Sequence, residues 1–202
     1  AMSATLTTSQ TSTTWYQCVV TCTNSGQSAN SAPLQVTMDL PSNCYCAAGA
    51  TNTSTSFEKI SRVEFNTIDN TSTSSAGYED FISVSTTVNP GSTYAFTGTI
   101  SNPWQDDQII VWIDSNQDGV FNNLDEQVFT SSLGNGPHSG NITIPLTAML
   151  GTTRMRIRLH DALDGPNSTP CGNSTYGQVE DYTVIISGCT PVTWYQDADN
   201  DT

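Results

Sequence analysis

Apolar and polar residues alternate along most of the chain, in short segments that are separated by Gly, Pro, Asn and Ser. A period of two with many β-branched and aromatic residues is typical of β-strands that bury one face. The stretches NNLDE and LTAML are helix-like but too short to form helices that are stable without packing. The segments predicted as strands are 15–23, 33–38, 58–66, 80–88, 92–100, 107–114, 126–130, 139–144, 153–160 and 179–186. We therefore predict an all-β fold, a two-sheet antiparallel β-sandwich of jelly-roll-like form.

Changes in composition divide the chain into three parts. Residues 1–40 supply too few strands to close a sandwich, whereas residues 44–187 are long enough to bury a core of their own. The first boundary is expected near Pro41, and the second near residues 187–191, before an acidic segment that ends at residue 202. The first part is then expected to pack on the central domain or on sequence outside this chain.

The N-terminal part contains the strand WYQCVVTC, in which Tyr16, Cys18, Val20 and Cys22 share one face. A Tyr two residues before a Cys resembles the tyrosine corner of an immunoglobulin-like sandwich. On this interpretation residues 1–40 form a β-hairpin that ends an immunoglobulin-like domain. Any β-hairpin with an inward Tyr would give the same pattern, and that alternative stays open.

The charge balance excludes one class of partner. The chain has 19 Asp and Glu against 5 Lys and Arg, for a formal net charge of −14. A nucleic-acid binder needs clustered cations, which this chain does not have. Its longest apolar runs fall short of the roughly 18 residues that a membrane helix requires, so we expect no membrane insertion.

The six cysteines include no C-x-x-C pair. An even number of cysteines in an acidic chain that is poor in Lys favours disulfides and an oxidising, extracellular compartment. Cys18 and Cys22 lie about 13 Å apart along a strand, too far to bridge each other, so they have partners elsewhere or are free. Because the ends of a sandwich often lie close together, we expect Cys44 to pair with Cys189, which leaves Cys46 for Cys171.

The segment DSNQDG matches the opening of a calcium-binding loop, in which oxygen ligands recur at alternate positions before a Gly. The flanking VWI and QVF read as strands, so the pattern predicts an oxygen cage on a β-turn and not an EF-hand. The predicted calcium ligands are Asp114, Asn116, Asp118, the carbonyl of Val120, and either Asp125 or Glu126, with Asp80 as a weaker candidate. A solvated turn rich in Asp and Asn is the alternative.

A second acidic cluster lies at the end of the chain, where Asp197, Asp199 and Asp201 occupy alternate positions. It resembles the start of a thrombospondin type 3 calcium repeat. An acidic linker would have the same composition, and both interpretations stay open.

Several separated motifs together resemble one known family. They are NCYC at 43–46, AGYEDF at 76–81, VWIDSNQDGVF at 111–121, ITIPLTAMLGTTRMRIRL at 142–159 and PCGNSTYGQVEDYTV at 170–184. In this order they resemble the GEVED domain, a β-sandwich module of secreted bacterial proteins that is common in the Bacteroidetes. Gln178 departs from the family motif, which has Glu there. The resemblance implies a secreted or cell-surface multidomain protein with neighbouring domains, and no catalytic activity.

Charged side chains on the predicted strands are interpreted as structural. Arg154, Arg156 and Arg158 share one strand face, and we expect Arg156 to form an ion pair with Glu180. Asp80 and Glu180 are a conceivable pair of hydrolytic carboxylates, but any acidic protein offers such pairs. No catalytic motif accompanies them, so we expect that the chain is not an enzyme.

Two functions fit these features. The first is a calcium-stabilised spacer, stalk or adhesin module of a surface protein. The second is a carbohydrate-binding accessory module of a secreted enzyme, in which Trp104, Tyr78 and Tyr176 stack on the sugar rings of an extracellular polysaccharide or surface glycan. Trp104 could instead close the open end of the sandwich.

Overall fold

The computed structural model describes residues 5–8, 10, 12–37, 44–122 and 124–188. All regular elements within these ranges are β-strands, which confirms the all-β prediction, and no helix there could span a membrane. In chain order the strands are β1 Thr14–Tyr16, β2 Val19–Thr21, β3 Ser28–Asn30, β4 Leu34–Val36, β5 Ala48–Ala50, β6 Lys59–Phe65, β7 Ile68–Thr71, β8 Tyr78–Val88, β9 Thr93–Ser101, β10 Asp107–Ile113, β11 Gln127–Thr130, β12 His138–Thr143, β13 Gly151–Asp161, β14 Gly172–Ser174 and β15 Gln178–Ile186.

The first four strands form one interrupted β-hairpin. β2 pairs with β3 and β1 with β4, both antiparallel, so the single strand predicted at 15–23 is two short ones. Trp15, at 62% exposure, and Leu34, at 66%, leave apolar surface uncovered by the described residues, so the packing of this hairpin stays a prediction. Cys18 and Cys22 are exposed and form no disulfide with another described cysteine.

The central part of the chain is a sandwich of two sheets. The larger sheet has the strand order β11-β10-β13-β15-β8, and the smaller has β12-β9-β6-β7. Most pairs are antiparallel as predicted, but β15 pairs with β8, and β14 with β5, in parallel. Alternation of side chains specifies which face of a strand is buried and not the direction of its neighbour, so these two pairings had no sequence signal.

The core lies between the two sheets. The smaller sheet contributes Ile60, Val63, Phe65, Phe96, Ile100 and Ile142, and the larger contributes Ile109, Val111, Ile113, Met155, Ile157, Leu159, Tyr182, Val184 and Ile186. The prediction that Met155, Ile157 and Leu159 face the core is confirmed, since each is fully buried. Burial of each such side chain stabilises the fold by about 1.5–3 kcal/mol.

The outer face of the larger sheet is also covered. Ile110, Trp112 and Phe121 form a second apolar cluster with Tyr45 packed against it, which explains why β10 is apolar at consecutive positions. The cover consists of residues 44–50 and 170–174, joined by the parallel β14–β5 pair and by the predicted disulfide between Cys46 and Cys171. Cys44 is exposed, and Cys189 lies outside the described residues, so their pairing stays a prediction.

Buried arginine side chains of β13 bond to the backbone of this cover. Arg158 is fully buried and donates to the carbonyls of Gly49, at 3.2 Å, and Gly172, at 2.7 Å. It has no carboxylate partner among its described contacts, and burial lowers its pKa to about 10. The boundary predicted near Pro41 and the acidic segment 189–202 lie outside the described residues.

Candidate functional site

The segment GQVEDY at residues 177–182 is built into the sandwich. Gly177 has φ +100°, and a Cβ placed there would lie 2.0 Å from the carbonyl oxygen of Leu159, so only Gly fits. The buried amide of Gln178 accepts a hydrogen bond from the N–H of Ile60 at 3.0 Å and donates one to the carbonyl of Ala76 at 2.8 Å. These two residues therefore fix the start of β15 against β6 and the loop before β8.

Asp181 forms a buried ion pair with Arg156, and Nη1 of Arg154 lies 3.5 Å from the same carboxylate. Arg156 donates to it through Nε and Nη2, each at 2.7 Å, while Nη1 donates to the carbonyls of Cys46 and Pro170. The predicted pair of Arg156 with Glu180 is wrong. The β13–β15 register sets Arg156 beside Asp181 on the outer face and Ile157 beside Glu180 on the core face.

Glu180 lies in the apolar core. Its Oε2 accepts a hydrogen bond from the hydroxyl of Tyr182 at 2.7 Å, and that hydroxyl accepts one from the amide of Asn70 at 2.9 Å. Oε1 has no hydrogen-bond partner, and burial raises the pKa of Glu180 to about 8. Asp80 is exposed and pairs in register with Asp181, so Asp80 and Glu180 lie on opposite faces and do not form a hydrolytic pair.

The predicted calcium loop winds around two buried carboxylates. Asp114 accepts hydrogen bonds from the Tyr45 hydroxyl at 2.6 Å and from the N–H of Gly119 at 3.0 Å. Glu126 accepts three backbone hydrogen bonds, from residues 115, 116 and 122, and burial raises its pKa. Asp118 accepts from the N–H of Val120 and from the amide of Asn116. The sequence pattern thus identified a loop whose polar side chains do converge.

The fit of this loop to a metal ion is mixed. Its oxygen donors are those that Ca²⁺ prefers. The described residues nevertheless contain no group of three or more His, Cys, Asp or Glu side chains that could hold a metal. Asp125 is exposed while Glu126 is buried, so of the two alternatives Glu126 is directed into the loop. Asp80 is not a candidate ligand, since two strands separate β8 from β10 and place it about 14 Å away across the sheet.

Two of the three predicted platform aromatics line one pocket. Trp104, which is 58% exposed, and Tyr176 border a pocket of about 270 Å³ together with Phe57. The rings of Phe57 and Tyr176 are 4.8 Å apart between centroids. Tyr78 lies elsewhere, in a separate pocket beside Tyr45, and its hydroxyl donates to Asp181 at 3.0 Å. Tyr78 therefore serves the buried ion pair and is not part of the platform.

Carboxylates that the sequence interpretation missed complete the lining of this pocket, which we call the Trp104 pocket: Phe57, Glu58, Trp104, Asp161, Asp164 and Tyr176. Glu58 is 1% exposed, and neither of its carboxylate oxygens has a hydrogen-bond partner. Burial raises its pKa, and the nearby charges of Asp161 and Asp164 raise it further. Beneath the pocket, Asp107 accepts from the N–H of Trp104 at 2.7 Å, and burial raises the pKa of Asp107 to about 7.

The GQVEDY segment lies in a region of the chain that matches one protein-family model. Residues 108–185 match the family model of the GEVED domain. The match covers β10 to β15 but less than half of the chain, and it leaves out β6, β7 and β9 of the smaller sheet. No curated protein matches the chain. The GEVED match thus accounts for the larger sheet apart from β8, and for the motif that anchors it.

The GEVED region and the preceding residues each supply part of the Trp104 pocket. Asp161, Asp164 and Tyr176 lie within the GEVED match, whereas Phe57, Glu58 and Trp104 precede it. They meet because β6 and β15 begin, and β9 and β13 end, at the same end of the sandwich. No spacing in the sequence joins these positions, and only Trp104 and Tyr176 were predicted to belong together.

Proposed function

We propose that this chain is a non-catalytic module of a secreted or cell-surface bacterial multidomain protein, in which it acts as a stalk, spacer or adhesin segment. The observation that carries the proposal is that Gln178, Asp181 and Arg156 bond to each other or to backbone groups inside the fold. Side chains so engaged are not free to bind a substrate. The Cys46–Cys171 disulfide supports an oxidising, extracellular location.

The flanks would connect the module to its neighbours. The hairpin of residues 14–36 exposes Trp15, Val19, Val20 and Leu34 and needs a covering surface, which supports a neighbouring, immunoglobulin-like domain of the same polypeptide. The acidic segment 188–202 would begin a thrombospondin type 3-like repeat.

Calcium would stiffen the module at the loop that follows β10. The residues that would hold it are Asp114, Asn116, Asp118, the carbonyl of Val120 and Glu126. The ion would neutralise carboxylates that otherwise repel one another. The protein's own contribution is the hydrogen bonding described above, which draws Asp118 and Gly119 toward Asp114.

The test is thermal unfolding of the purified chain with excess Ca²⁺, with EDTA, and with Mg²⁺. An ion that binds only the folded state at 100 times its Kd adds about 2.7 kcal/mol of stability, which raises Tm by several degrees. Asp118→Ala should abolish the shift. Asp80→Ala, which removes an exposed acid outside the loop, should retain it. Equal Tm values in Ca²⁺ and EDTA would refute the calcium proposal and leave the spacer proposal standing.

Glycan recognition is the second candidate function. The convergence of Trp104, Tyr176 and Phe57 in one pocket favours it, since sugar rings stack on such surfaces. A glycan array would test it with Trp104→Ala, and Trp15→Ala would serve as the control because Trp15 is similarly exposed but far along the chain. Binding that Trp104→Ala abolishes and Trp15→Ala retains would support an accessory module on polysaccharide. An array without signal would count against it.

A further inference from the structure

The Trp104 pocket combines two kinds of wall. One is aromatic, from Phe57, Trp104 and Tyr176, and the other is acidic, from Glu58, Asp161 and Asp164. A neutral sugar needs the first wall and hydrogen-bonding partners, but it does not need three carboxylates. The acidic wall therefore indicates that the ligand is positively charged.

The carboxylates of this pocket form no salt bridge with a described residue, although the charge of Lys59 lowers the pKa of Glu58, which burial raises. Glu58 is buried at the pocket wall and leaves both carboxylate oxygens without a hydrogen bond. The adjacent Lys59 does not neutralise it by direct contact, because its ammonium group donates to the carbonyls of Asn52, at 3.1 Å, and Gly177, at 2.8 Å. Asp164 is exposed at the rim, and one oxygen of Asp161 accepts the N–H groups of Leu163 and Asp164.

A buried carboxylate without partners costs stability, and a cation that reaches it recovers the lost interaction. The aromatic wall favours the same ligand, because the face of a Trp or Tyr ring attracts a cation. Both walls thus fit a positively charged group that enters between Trp104 and Glu58.

We infer that the Trp104 pocket binds an amino sugar, a hexose ring whose protonated amine approaches Glu58 while the ring stacks on Trp104. The inference rests on glycan recognition, the second candidate function. A sugar ring is favoured over a lysine side chain because Trp104 offers a broad exposed face and the rim carboxylate of Asp164 is open to a hydroxyl donor. The ligand class is therefore a de-N-acetylated hexosamine polymer.

Calorimetric titration with four probes tests the inference, at a pH below neutrality where the amine is protonated. Three probes are oligomers of equal length, of glucosamine, of N-acetylglucosamine and of glucose. The fourth is lysine amide acetylated at its α-amino group, which keeps the charged side chain. We expect the glucosamine oligomer to bind at least tenfold more tightly than the other three. Added salt should weaken this binding, because it screens the charge pairing.

Variants connect the preference to the pocket. Glu58→Gln should reduce the preference for glucosamine over glucose to less than threefold, Asp164→Asn should reduce it in part, and Trp104→Ala should abolish binding. Trp15→Ala is the control and should bind as the original chain does. Should Glu58→Gln fail to fold, as its melting curve would show, Asp164→Asn at the exposed rim still tests the role of charge.

Other results would overturn the inference in distinguishable ways. Equal, Trp104-dependent binding of all three oligomers would refute the role of the amine but retain glycan recognition. Equal binding of the lysine derivative and the glucosamine oligomer would identify a protein side chain as the ligand. If none of the probes bound, the inference and glycan recognition would both fail.

Discussion

Glu180 should make this protein more stable in mild acid than at neutral pH. The Glu180→Gln substitution tests this directly, because Gln has the same shape, keeps an oxygen for the Tyr182 hydroxyl and cannot ionise. Glu180 is buried, and the charge of Glu79, its neighbour on β8, further raises its pKa. Nothing positively charged faces it among its described contacts.

The size of the effect follows from the difference in pKa. The carboxyl titrates at about 8 in the folded protein against 4.5 in an unfolded chain. The folded state therefore retains a proton that the unfolded state has released, so stability is full below pH 4.5 and falls as the pH rises toward 8. The loss is about 1.4 kcal/mol per pH unit in this window and amounts to about 3 kcal/mol at pH 7.

The assay is urea unfolding of both proteins at pH 5, 6, 7 and 8. We expect the original chain to lose stability across the series and Glu180→Gln to lose about 2.5 kcal/mol less between pH 5 and pH 7. A smaller slope should persist in the variant, because burial also raises the pKa of Asp107 and of Glu58. Asp80→Asn, at an exposed site, is the control. Parallel curves for the variant and the original chain would refute the reasoning.

Three further substitutions probe the motif and its cover. Cys46→Ala removes a disulfide that spans 125 residues, and should cost about 2–5 kcal/mol in denaturant unfolding, with no added effect of a reductant. Arg156→Ala leaves the buried Asp181 without its bidentate partner, and should cost about 3–5 kcal/mol; Arg156→Lys should not restore this stability, because Lys cannot make both bonds. Gln178→Glu removes the donor to the Ala76 carbonyl at neutral pH, so its Tm should fall there by several degrees and recover in acid, where the carboxyl is protonated. A Tm for Gln178→Glu that does not vary with pH would contradict the assigned hydrogen bonds.

Periodicity explains which features the sequence made predictable. Met155, Ile157 and Leu159 alternate with three Arg residues, so their faces were evident before any partner strand was known. The partner of Arg156 was not evident, because Glu180 and Asp181 are adjacent acids on opposite faces and only the register chooses between them. β5 and β14 were missed because AGA and GNS carry no apolar alternation and are held by backbone contacts.

The two candidate sites also differ in how much of each the sequence predicts. The loop from Asp114 to Glu126 is local, so turn chemistry within one short segment revealed which side chains converge. The Trp104 pocket takes residues from four distant segments, and their meeting depends on the order of strands in both sheets. The loop sequence SNPWQDD indicated that Trp104 is exposed, but it gave no reason to place Glu58 beside it.

The two buried arginines recognise the cover of the larger sheet through its main chain. Arg156 and Arg158 donate to the carbonyls of Cys46, Gly49, Pro170 and Gly172, which every residue type possesses. Most side chains of the covering segments, and with them the outer surface of the module, can therefore change during evolution while the arginines continue to bind the same backbone carbonyls. The sandwich can in this respect keep one backbone structure while the side chains on its outer surface are exchanged.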